Sequence, residues 1–134
     1  MMSSVNLMLA AVLGLLGMVS TAVGAGLVFV SSEKDHVVTV FDQDTLDKKT
    51  TIATSERPRA MKLDPAHALL YVACGDGDSI DVIDIKKLAV VRKIPIGDDP
   101  DRFDISPDGR LLVSCGGGYD PWCDNSIRVW DAGR

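Results

Sequence analysis

An all-β fold is what this sequence predicts, and three observations carry that expectation. Beyond the first quarter of the chain, apolar residues fall on alternate positions in short runs such as "LLYVAC" at Leu69 and "SIDVID" at Ser79, the period of a strand rather than of a helix. Turn-forming residues separate the runs, in "PAHA", "GDGD" and "KK", so that neighbouring strands run antiparallel in a meander. The chain also matches itself at an offset of 42: "LVFVS" at Leu27 falls on "LLYVA" at Leu69 and then on "LLVSC" at Leu111. Asp42 falls likewise on Asp84, Leu46 on Leu88, Ile52 on Ile94, Pro58 on Pro100 and Pro65 on Pro107.

The best-preserved unit holds four strand-like segments, "RAMKLD", "LLYVAC", "SIDVIDI" and "LAVVRKIPI". Four strands in roughly 40 residues is the size of one β-propeller blade. Three such units are expected, at about 27–54, 58–96 and 101–131. The first supplies three strands, the second all four and the third three, about two and a half blades in all. In the third, "SIRVWD" at Ser126 matches "SIDVID" with five further residues inserted, and the insertion falls within "GGGYDPWC".

Ahead of the repeats the chain is different in kind. Residues 1–26 contain no Asp, Glu, Lys or Arg, and "VNLMLAAVLGLLGMV" from Val5 is an almost unbroken apolar run followed by "STAVGAG". This is a secretory signal pattern, with Val23 and Ala25 as the small residues before a cleavage site and a mature start near Gly26. The usual basic residue ahead of the apolar run is missing. The alternative is an uncleaved anchor, since Val5 to Val30 is long enough to span a bilayer and would be the only membrane attachment. No Cys follows the run to make a lipoprotein. Helix is expected only in this export segment, 1–25, and the protein is expected in the periplasm or secreted.

The length of 134 residues suits one domain, and a charged fraction of 25% suits a folded body. With a net charge of −5 and no stripe of Lys and Arg, nucleic acid is excluded as a partner.

The stretch "ACGDGDSIDVIDI" packs four aspartates, Asp76, Asp78, Asp81 and Asp84, into thirteen positions. A calcium loop would close on a bidentate Glu, and Ile85-Lys86-Lys87 offers none. The expectation is a hairpin turn in which Gly and Asp supply the positive φ, with Asp81 and Asp84 at outward strand and strand-end positions.

The segments "LVFVSSEKDHVVTVFDQDTL", "ERPRAMKLDPAHALLYVACGDGDSIDVIDI" and "IPIGDDPDRFDISPDGRLLVS" resemble the YVTN-type β-propeller repeats, and within them the exported propellers associated with PQQ-dependent alcohol catabolism. The likeness runs from Leu27 to about Ser114. It breaks at "CGGGYDPWCDN", and the ending "IRVWDAGR" is similar to a WD40 strand. The resemblance implies a ring of several blades in which the chain's far end completes the first. About two and a half blades cannot close such a ring, so the expectation is a fragment of a longer protein, with self-assembly of short chains as the alternative.

Strand direction places "SERPR" (55–59), "GDGD" (75–78) and "GDDPDR" (97–102) on one face. The candidate upper-face binding residues are therefore Arg57, Arg59, Asp76, Asp78, Asp98, Asp99, Asp101 and Arg102, as a polar funnel for a small anion or a partner protein or, more simply, as inter-blade ion pairs. No catalytic, metal or cofactor residues are expected. His36 and His67 sit in turns, His67 at the place of Gly109, and Ser32, Ser55 and Ser114 have no elbow motif. Cys115 and Cys123 flank the enlarged turn and are candidates for a disulfide in an oxidising compartment, leaving Cys74 free. The resemblance implies a binding or scaffold module beside a periplasmic quinoprotein dehydrogenase or cytochrome, without implying bound PQQ. The alternatives are a propeller-type lactonase or dehydrogenase, and a surface-layer or adhesion repeat.

Overall fold

The computed structural model describes residues 26–116 and 127–132. The expected export segment, most of the insertion and Cys123 lie outside the described residues. The rest is all-β: β1 (Leu27–Ser32), β2 (Val37–Asp42), β3 (Lys48–Ala53), β4 (Pro58–Leu63), β5 (Leu69–Cys74), β6 (Ser79–Asp84), β7 (Ala89–Pro95), β8 (Pro100–Ile105), β9 (Leu111–Gly116) and β10 (Ile127–Asp131). They form three antiparallel meanders, β1-β2-β3, β4-β5-β6-β7 and β8-β9-β10, hereafter blades one, two and three.

The turns explain why the repeat folds as it does. Positive φ occurs at His36 and Asp78, at Leu46 and Leu88, at Arg57 and Asp99, and at His67 and Gly109, four pairs each separated by 42 residues. The hydrogen bonds repeat with them. Thr54 N–H donates to His36 O as Ile96 N–H does to Asp78 O, and Leu46 N–H to Asp42 O as Leu88 N–H does to Asp84 O. After β2 and after β6 an aspartate folds the chain back as an Asx turn. Asp42 Oδ1 accepts from Asp44 and Thr45, and Asp84 Oδ1 from Lys86 and Lys87.

Within "GDGD" it is Asp78 that takes the positive φ, and neither glycine does. The glycines serve close approach instead. A Cβ on Gly77 would stand 2.7 Å from Ser55 Cβ, and one on Gly75 would stand 2.8 Å from Asp99 Oδ1. The turn is a hairpin as expected, but its glycines are there because the preceding and following inter-blade links lie against it.

Packing is blade on blade. Val38, Val40 and Ile52 of blade one meet Leu70, Val72, Cys74 and Ile83 of blade two. The other face of blade two, through Tyr71, Ala73, Ile80 and Val82, meets Phe103 and Leu112 of blade three. Alternate residues of β5 therefore enter different cores, and five of its six residues are buried. This corrects the expectation for Asp81, which is not outward but wholly buried. In a stack of blades the side of a strand away from one core faces the next blade, not water.

Candidate functional site

The three loop regions expected on one face do meet there. The "SERPR" link and the "GDGD" turn are joined through their backbones, with Gly75 N–H donating to Arg57 O (2.9 Å) and Gly77 N–H to Glu56 O (3.3 Å). Asp99 N–H in the next link donates to Asp78 Oδ1 at 3.2 Å. The equivalent contact one repeat earlier is Arg57 N–H to His36 Nδ1 at 3.0 Å, which gives His36 a structural role.

Arg57 stands at the centre of the charges. Its Nη1 lies 2.7 Å from Asp76 and 3.6 Å from Asp99, and its Nε lies 3.6 Å from Glu33. The hydrogen bond to Asp76 holds the guanidinium above its ordinary value, with the charges of Asp99, Asp76 and Glu33 adding to it and burial opposing it. Arg59 lies 2.8 Å from Asp101 and 3.7 Å from Glu33. Asp99 Oδ1 is shielded from solvent and makes no hydrogen bond among the described residues, its contact with Arg57 being too long for one. Of the eight expected residues, Arg57, Arg59, Asp76, Asp78, Asp99 and Asp101 come together. Asp98 and Arg102 are exposed and enter no ion pair among the described residues.

Glu33 bridges both arginines and was not anticipated. The 42-residue offset that places Gly75 also places Glu33, so the repeat itself carried the signal. Ser55 and Asp81 were missed as well. Asp81 Oδ2 accepts from Ser55 N–H (2.7 Å), and Oδ1 accepts from Ser55 Oγ (2.9 Å) and Ser79 Oγ (3.4 Å). Lys93 Nζ donates to the same Ser55 Oγ at 2.8 Å. One repeat on, Arg128 holds the place of Asp81 and donates to Ile96 O of the following link at 3.1 Å. β6 and β10 thus each hold the link that enters their own blade, and in blade two this fixes the position of Arg57 and Arg59.

Cys74 is buried, and its thiol is pushed up to about 12, first by desolvation and then by the charge of Asp81. Among the described residues Cys74 and Cys115 form no disulfide. The expected partner of Cys115, Cys123, lies outside the described residues. On the opposite face a depression is lined by Asp108, Arg110, Leu111 and Asp131. Among the described residues no group of three or more His, Cys, Asp or Glu side chains is arranged to hold a metal ion.

No family model and no curated protein matches the chain. Solved structures do. Hydrazine synthase of Kuenenia stuttgartiensis is 33% identical with a TM-score of 0.71, over 78% of this chain and 29% of its own. The fold is that of a β-propeller. The dihydro-heme d1 dehydrogenase NirN, in complex with DHE, is 23% identical with a TM-score of 0.66, over 79% and 22% of the two chains. A functionally unknown protein of Desulfotomaculum acetoxidans is 16% identical with a TM-score of 0.65, over 81% and 38%. The last two likenesses show the fold alone. The chain thus spans well under half the length of each of these proteins.

Proposed function

We propose that the chain is an exported β-propeller module that binds or scaffolds a partner, and that the partner is a quinoprotein dehydrogenase or a cytochrome of periplasmic alcohol oxidation. The observation that carries the binding role is the charged rim built by three blades. Glu33 comes from blade one, Arg57, Arg59 and Asp76 from the entry and body of blade two, and Asp99 and Asp101 from the entry of blade three. Four carboxylates surround two guanidiniums, so the arginines are already matched and the rim is net negative. This favours a basic protein surface over a small anion, because complementary charge steers association and sets its orientation. The likeness to a segment of hydrazine synthase supports a place within or beside a larger enzyme, and the YVTN resemblance points to the quinoprotein setting.

The test is surface plasmon resonance of the exported protein against a purified quinoprotein alcohol dehydrogenase and against its c-type cytochrome, at low and high salt. Binding to one of them is expected, weakening with salt, and Asp76→Asn with Asp99→Asn should lower the affinity about tenfold, mainly through the on-rate. No binding to either at low salt would overturn the partner assignment.

A further inference from the structure

The large apolar residues left exposed are gathered at the two ends of the stack. Val28, Val30 and Leu46 are exposed on blade one, and Leu111, Val113, Ile127 and Val129 on blade three. Among the described residues only Leu63 and Val91 are exposed elsewhere. Each end residue has a buried or core-packed counterpart one repeat away. Val30 is 48% exposed and Val72 0%. On blade three, with the insertion counted, Ile127 is 75% exposed against 0% for Ile80, and Val129 63% against 1% for Val82. Leu46 is 68% exposed, whereas Leu88 packs on the core between blades one and two.

These faces are the two halves of one joint. The side of blade two that bears Leu70 and Val72 packs on blade one, and the side that bears Tyr71, Ile80 and Val82 packs on blade three. Blade one presents the first kind of face without a cover, and blade three the second. Apolar patches of this kind mark interaction sites, and the surface complementary to each end is the other end of the same chain.

We propose that a second copy of this chain docks head to tail, its blade one seated on blade three through Val28, Val30 and Leu46 against Val113, Ile127 and Val129. Two copies bring together six blades, within the range of roughly four to eight in which propellers close, and the symmetric pair satisfies both ends at once. Blade one lacks the inner strand that β4 and β8 supply to the internal joints. The new joint is therefore weaker than those, and the assembly is concentration-dependent.

Light scattering with size exclusion on the exported protein, from micromolar to submillimolar concentration, tests this. A shift from one to two chains is expected, with hydrogen exchange in β1, β9 and β10 slowing as the dimer fills. Val30→Arg and Val129→Arg should each abolish dimers. Mixed, they should form a heterodimer, since the intact blade three of the first meets the intact blade one of the second. Both substitutions are at exposed positions, and the exchange measurement needs no variant. A monomer at every concentration with unchanged exchange would overturn the proposal, with cover by other blades then taking its place. Dimers that survive both substitutions would overturn it too.

Discussion

The carboxylate of Asp81 has no exposed surface and accepts three hydrogen bonds, two of them from Ser55 in the link that enters its blade. A buried charge is tolerated only where such donors surround it. Asp81→Ala leaves the Ser55 and Ser79 donors without an acceptor and should cost about 2 to 3 kcal/mol, while Asp81→Asn, which keeps one acceptor, should cost less. Urea unfolding midpoints at constant m-value would show this order, and equal effects would mean that the carboxylate is not the anchor. Cys74 lies in the same region, and its thiol holds its proton to about 12 in the folded state. The thiolate is the reactive form, so Cys74 should resist alkylation at pH 8 until the protein unfolds. An unfolded cysteine ionises near 8.5. The folded value is the higher one, so this contribution to stability is complete below that pH and is lost as pH rises from there towards 12. Cys74→Ala should flatten the alkaline limb of a stability-pH curve.

Turns and links obey the same chemistry in each repeat, which makes their substitutions comparable. The Cβ of Gly77→Ala would strike Ser55 Cβ and come within 3.2 Å of Glu56 N, whereas that of Gly75→Ala meets mainly the movable tip of Asp99. Gly77→Ala should therefore lower the melting temperature more than Gly75→Ala. The turn aspartates respond to acid. Asp42 is held below the usual carboxylate range by its hydrogen bond to Lys49 and then by backbone N–H groups, and Asp84 chiefly by the N–H of Lys87. Their folded values are depressed, so the stability they add is present above about pH 4 and lost as pH falls through the folded values. A double Asp42→Asn, Asp84→Asn variant should show a shallower acid limb. The repeat exposed these elements in the sequence, because turn residues and alternation recur together: "GDGD" and the links could be placed on one face from strand direction alone. What could not be read was which neighbour each loop touches. Glu33 and Ser55 act through another blade, and Gly75 and Gly77 look like φ glycines until the adjacent links are seen.

In a stack of blades each unit touches only its neighbours, so stability is a sum of blade and joint contributions rather than the property of one core. Alternation, which told strands from helices in the sequence, could not tell core from surface, because both faces of a middle blade are buried and only the end blades have a side facing water. That is why Asp81 read as outward, while Val28 and Val129, in the same pattern as buried residues, are exposed. Position in the stack, rather than hydrophobicity, should then order local stability. Blade two is covered on both faces and β5 and β6 are paired on both edges, whereas the open edge strands β1, β3, β8 and β10 belong to blades covered on one side. Amide exchange monitored by mass spectrometry, at concentrations low enough to keep the chain monomeric, should find β5 and β6 slowest and β1 and β10 fastest. Leu112→Ala removes a wholly buried side chain from the joint between blades two and three and should cost about 2 to 5 kcal/mol. Its effect on exchange should be greatest in β8 to β10, smaller in blade two and least in β1 to β3. Uniform acceleration across all ten strands would instead mean that the three blades unfold as one cooperative unit, and that joints as well as blades are lost in a single step.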